Sequence, residues 1–274
     1  MTMRTSLFAL LAAASGLFAQ APPPPNAPQQ PNYQPNWPCT GKERAFHPAY
    51  SRVAEATGGH LFLFDKSEIA GWSALMTGDA KHKATIVRAA GKMDSYVDIP
   101  FWVDSSAESL FVVASLQCMQ TIYVYDPQRV GVDAKTPGVE DNWFHAGRIS
   151  TIPKPQPGSW VVRLLGTGAY GVAIEAQTST TLGAVEKKGD ALSISLGAGV
   201  TSPVFRLINA AGEPVQPLAL TSNPDSVSRF SGSLPPLTMD VRLQGEWRNA
   251  NGEVVWRTDP RLWEHTGSAA VPIK

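Results

Sequence analysis

Alternation of apolar and polar positions is strongest in two stretches, Ile99 to Asp126 (IPFWVDSSAESLFVVASLQCMQTIYVYD) and Gly158 to Gln177 (GSWVVRLLGTGAYGVAIEAQ). In the first, Leu110–Val113 and Ile122–Tyr125 are short β-branched, aliphatic or aromatic runs bounded by Ser, Gln, Asp and Pro. Such runs suit strands, because helices need longer windows and a period of 3.6. In the second, Trp160, Val162 and Leu164 alternate with Val161 and Arg163, and Tyr170, Val172 and Ile174 resume the alternation. Gly166 and Gly168 between them predict a tight turn, so the stretch is expected to be a hairpin with one buried face. Together the two stretches predict the middle and end of one β-sandwich.

The pattern restarts after Thr178. Ala191–Leu196, Pro203–Ile208, Val215–Thr221, Ser226–Phe230, Met239–Arg248 and Val254–Arg257 read as short strands. Asn249-Ala-Asn-Gly252 predicts a hairpin turn between the last two. Strands at this spacing predict a second sandwich of immunoglobulin type, without the Cys–Trp–Cys pattern of antibody domains. Between the two main stretches, Pro127 to Pro157 reads as a long connection containing Trp143 and Phe144. Trp143 with Asp141 and Asn142 is a candidate sugar-stacking platform. The competing reading, which we favour, is a hydrophobic anchor under the loop, because large aromatics mostly supply buried contact area. Upstream, Pro48 and Gly58-Gly59 punctuate a helix whose Tyr50, Val53 and Ala54 share a face, followed by the strand-like run Leu61–Phe64. A second amphipathic segment runs from Ser67 to Met76.

Composition changes the picture at the N-terminus. Arg4, the short apolar run Ser6–Gly16 and Ala19-Gln20-Ala21 form a secretory signal pattern, too short to span a membrane. Ala21–Pro38 (APPPPNAPQQPNYQPNWP) follows as a Pro-rich tether. Export makes a disulfide between the chain's two cysteines, Cys39 and Cys118, the simplest expectation. Closing so long a loop would contribute about 4 kcal/mol on the chain-entropy model. Two unrelated thiols, one of them buried, remain the alternative. Lys and Arg together equal Asp and Glu at 23 each, and charged residues are only 17% of the chain. That balance argues against nucleic acid and against an anionic membrane patch.

The segment HPAYSRVAEATGGHLFLFDKSEI resembles the last helix and strand of a von Willebrand factor A domain of the hemicentin-like kind, through Val53, Ala54, Thr57, Gly58, Gly59 and Phe62. Ala84–Ala89, Ile99-Pro100-Phe101 and PQPGSWVVRLLGTGAYGVAIEAQTS resemble the region that follows it in that family, from about Ala45 to Trp263 in all. The resemblance implies a galactose-binding-like β-sandwich and then an immunoglobulin-like one, with a stub of the A domain before them. The Asp-x-Ser-x-Ser motif of the A domain is not found upstream, so its metal is not carried over.

The expected architecture is therefore mainly β. A signal peptide covers 1–21, a tether 22–44 and a short α/β stub 45–80. A galactose-binding-like jelly roll covers 81–179, an immunoglobulin-like sandwich 180–266, and a tail 267–274. Asp104-Ser105-Ser106-Ala107-Glu108 offers oxygen ligands, but its turn chemistry reads as a polar turn between strands. The five histidines lack zinc spacing, and neither a Gly-x-Ser-x-Gly elbow nor a phosphate-binding Gly loop is present. No cofactor or metal is expected. The function expected is that of a secreted or periplasmic, non-enzymatic binding or adhesion module for protein or glycan at the cell surface. The alternatives are an assembly subunit pairing through strand edges and an accessory domain of a secreted hydrolase.

Overall fold

The computed structural model describes residues 48–57, 59–62, 84–197, 200–224 and 226–264, and the fold is mainly β. The expected signal peptide, the tether, Cys39, the segment Ser67–Met76 and the tail from 267 lie outside the described residues. No helix among the described residues is long and apolar enough to cross a membrane.

Helix α1 (Pro48–Thr57) starts on its proline, and the Thr57 hydroxyl donates back to the Val53 carbonyl at 2.8 Å. Its expected apolar face is divided: Ala54 is buried, whereas Tyr50 and Val53 are exposed. Leu61 and Phe62 follow as irregular chain, not as the expected strand. They are fixed by side-chain contacts. The Ser115 hydroxyl donates to the Leu61 carbonyl at 3.2 Å, and Phe62 sits edge-on to Phe144.

The first β unit contains β1 (Ala84–Met93), β2 (Tyr96–Val103), β3 (Ala107–Tyr125), β4 (Glu140–Phe144), β5 (Gly147–Pro153) and β6 (Gly158–Thr178). They form one six-stranded antiparallel sheet in the order β1-β6-β3-β5-β4, with β2 also on β6. The hairpin expected at Gly166 and Gly168 does not form. Instead β6 is a single strand of 21 residues, paired along its length with the 19 residues of β3. On its other side β6 pairs with β2 through its first half and β1 through its second.

The reason lies in the parity of the apolar positions. Trp160, Val162, Leu164, Tyr170, Val172, Ile174 and Ala176 all belong to one core cluster, and all are even-numbered. One strand keeps one face inward throughout, as the period of two demands. Gly166, at φ 143°, falls on that same inner face beside Leu116, whereas Gly168, at φ 94°, faces the Gln117 side chain. A Cβ on Gly166 would lie 2.0 Å from the Cys118 carbonyl oxygen, so only glycine lets the facing strands approach there. Two register irregularities of β3, at Leu116/Cys118 and Met119/Thr121, sit opposite the same point. Both halves of the long strands contribute to the same cluster, so this one sheet bends over its own core.

The expected loop Pro127–Pro157 also contains structure, the hairpin β4–β5 joined by His145-Ala146. Its turn lacks the Asn-Gly or Asp-Gly signal that marks a two-residue hairpin in sequence.

The second unit contains β7 (Val185–Lys188), β8 (Ala191–Ser195), β9 (Thr201–Ile208), β10 (Pro214–Leu218), β11 (Thr221–Asn223), β12 (Ser226–Ser233), β13 (Arg242–Arg248) and β14 (Val254–Thr258). Two four-stranded sheets, β11-β12-β8-β7 and β10-β9-β13-β14, enclose one core that includes Leu192, Ile194, Phe205, Leu207, Leu243 and Trp247. That order is D-E-B-A on one sheet and C′-C-F-G on the other in immunoglobulin nomenclature. Each fully buried aliphatic or aromatic side chain of such a core contributes about 1.5–3 kcal/mol.

Candidate functional site

The two units meet where the turn after β2 touches β14 and its hairpin. Asp104 ends the β2 segment in a polar turn, the role its Asp-Ser-Ser sequence predicts. Its carboxylate is fully buried and accepts a 2.6 Å hydrogen bond from Arg257 Nη2 on β14. Arg257 also donates from Nε to the Thr180 carbonyl at 2.7 Å and from Nη1 to the Trp256 carbonyl at 2.7 Å. Burial pushes the Arg257 guanidinium below its ordinary range, and the Asp104 charge opposes that shift. The other Asp104 oxygen accepts from the hydroxyl and backbone N–H of Ser106, and the Ser106 hydroxyl lies 2.6 Å from that of Thr178.

A second contact lies beside the first. The Ser105 hydroxyl and backbone N–H both donate to Glu253, at 2.5 and 3.1 Å, and Asn249 Nδ2 donates to the same oxygen at 2.7 Å. The Ser105 hydroxyl bond, aided by Asn249, holds the Glu253 carboxyl below the usual glutamate range. Asn251 Nδ2 reaches the Ser105 hydroxyl at 3.4 Å. Further along, the Thr258 hydroxyl donates to the Ile86 carbonyl at 2.8 Å and the Ala90 N–H to the Ala210 carbonyl at 2.7 Å. Trp256 packs against the core of the first unit. Apolar packing, a buried ion pair and backbone hydrogen bonds thus join the units.

Two clefts flank this junction. One, of about 470 Å³, is lined by Ala84, Thr85, Leu182, Asp259 and Arg261 among others. The other, of about 380 Å³, is walled by Ser105, Ser106, Ser179, Thr180, Asn249 and Asn251, with Trp247 and Val200 also in its lining. Trp247 is 2% exposed, and its buried indole Nε1 has no hydrogen-bond partner among the described residues. Asn249-Ala-Asn-Gly252 and Asp104-Ser105-Ser106 are both turns, as their residue types predict. That these two turns face each other is set by tertiary structure alone.

The residues singled out from sequence lie elsewhere. Asp141, Asn142 and Trp143 belong to β4. The Asp141 carboxylate is buried and accepts from Arg148 Nε at 2.7 Å, Trp143 Nε1 at 2.9 Å and the Ser150 hydroxyl at 2.5 Å. Arg148 lies over the Trp143 ring, 4.7 Å from its centroid, and donates to the carbonyls of Ile122 and Val132. Trp143 also packs against the main core. Asn142 is exposed, and the alternation of a strand puts it on the opposite face from its two neighbours. Asp141 and Trp143 are thus brought together in a buried knot that ties the 126–139 connection to the sheet, and Asn142 is left out of it.

The expected Cys39–Cys118 bond is not seen. Cys118 is a buried free cysteine in β3, filling space as a small apolar side chain, and Cys39 lies outside the described residues. His60 lies between two buried partners, with Arg88 Nη2 3.1 Å from its Nδ1 and Glu175 3.7 Å from its Nε2. This cluster holds segment 59–62 on the outer face of the sheet. Among the described residues, no three His, Cys, Asp or Glu side chains gather as a metal site.

No family model matches the chain, and no curated protein matches it. Among solved structures it is similar to Bacillus licheniformis lipase BlEst2 in its propeptide form, at 12% identity and a TM-score of 0.37. The match covers 66% of this chain and spans 43% of that one, a likeness too low to support a functional argument.

Proposed function

We propose that the protein is an exported, non-enzymatic binding module of the cell surface or envelope, built from tandem β units of galactose-binding-like and immunoglobulin-like character. The observation that supports this reading is the locked junction. The buried Asp104–Arg257 pair and the Ser105–Glu253 contact hold two units as one frame, and the frame presents a polar cleft at their boundary. Clefts between domains are preferred places for ligands, because two rigid walls can be set at a fixed separation. The strand order of the second unit and the resemblance of the whole stretch to hemicentin-like proteins support the same reading.

The test is binding of the purified mature protein to intact cells and isolated envelope material. Saturable binding that is lost on Asp104→Ala, with both units still folded by circular dichroism, is the expected outcome. Turnover of a substrate by the purified protein would overturn the reading.

A further inference from the structure

We infer that the cleft walled by Ser105, Ser106, Ser179, Thr180, Asn249 and Asn251 is a site for a neutral polyhydroxylated ligand, a glycan carrying no charge. The inference rests on the binding-module reading and names the ligand class for it. The chemistry of the walls carries it. Apart from the Trp247 indole, every polar side chain in the lining is a hydroxyl or an amide, groups that both donate and accept, as sugar hydroxyls do. Among the described residues, the hydroxyls of Ser179 and Thr180 make no hydrogen bond, so they are available to a ligand.

Among the described residues, no cation lines the cleft to receive an anionic group. Arg257, at the junction, is buried and committed to Asp104, and Arg248, between Trp247 and Asn249, donates from Nη1 to the Gly252 carbonyl at 2.6 Å. The nearby Glu253 carboxylate is already bound by Ser105 and Asn249. An acidic ligand would meet uncompensated negative charge, and a cationic one would compete with three bonds to that carboxylate.

Trp247 belongs to the lining as well, with its indole N–H buried away from solvent. Val200 and Ala250 add apolar surface for the C–H faces of a sugar ring. The volume of about 380 Å³ falls in the lower part of the range of small-ligand sites, about 300–1,000 Å³.

The test uses an array of neutral and acidic oligosaccharides probed with the mature protein, followed by calorimetric titration of the best neutral one. Ser179→Trp, at an exposed rim position, fills the cleft, and Asn251→Ala removes an exposed amide from its wall. Both variants should keep the thermal midpoint of the parent. Neutral oligosaccharide binding, weakened about tenfold or more by Ser179→Trp and measurably by Asn251→Ala, supports the site. Binding restricted to acidic glycans, or neutral binding untouched by both variants, overturns it. Binding to envelope material with no neutral glycan bound overturns the glycan site and leaves the module reading standing. Absence of both kinds of binding overturns the two together.

Discussion

At the residue scale, the sharpest constraints are glycines and buried charges. Gly166 combines a left-handed φ of 143° with a Cβ position 2.0 Å from a backbone oxygen. Strain and overpacking add there, so Gly166→Ala is expected to cost about 3 kcal/mol or more, read from urea denaturation. Gly189, in the β7–β8 turn, has a φ of 60° but nothing within 4 Å of its Cβ position. Gly189→Ala should cost only about 1–2 kcal/mol, the steric price of the left-handed region alone. Asp141 and Asn142, neighbours on β4, divide in the same way. Asp141→Ala strands the buried Arg148 guanidinium and should cost about 3–5 kcal/mol, whereas Asn142→Ala on the exposed face should stay within about 0.5 kcal/mol. Equal effects of the two substitutions on the unfolding midpoint would contradict the buried knot.

At the element scale, the β13–β14 hairpin brings Asn249, Asn251 and Glu253 against the turn after β2. The Glu253 carboxyl titrates below its ordinary value of 4.5 because Ser105 and Asn249 bind the charged form. A carboxyl lowered on folding stabilises the fold above its unfolded pKa, and the contribution is lost as pH falls through the folded value. The stability difference between the parent and Glu253→Gln should therefore be flat from neutral pH down to about pH 5 and shrink below that. Thermal unfolding of both proteins between neutral pH and pH 3 measures it, and a difference that grows on acidification would have the wrong sign. The hairpin itself was legible, because Asn-Ala-Asn-Gly between two alternating runs is turn chemistry. The β4–β5 hairpin was not legible, because His145-Ala146 is not a turn signal and β4 is mostly polar. The bend in β6 was misread because Gly-x-Gly between apolar runs is also how a hairpin looks. The unbroken even parity from Trp160 to Ala176 was the signal that distinguished the two.

At the scale of the whole molecule, the junction determines whether the two units behave as one. Arg257→Ala leaves Asp104 buried without its cation, which should cost about 3–5 kcal/mol. It should also divide a single calorimetric unfolding transition into two, as the units lose their coupling. One unchanged transition in that variant would mean that the apolar packing of Trp256 on the first core suffices by itself.

Local pattern determined the long strands of the first unit, most strands of the second and the turns at 104–106 and 249–252, because alternation and turn chemistry act over a few residues; it did not mark β4, β5 or β7. It also carried the core positions, since one face of each strand had to be apolar. Tertiary structure alone decided that the long strands of the first unit bend over a single core and that Asp104 meets Arg257, 153 positions away. It likewise decided that the two polar turns wall one cleft. Partners so distant in sequence leave no periodic trace, since pairing across a junction depends on how two finished surfaces fit.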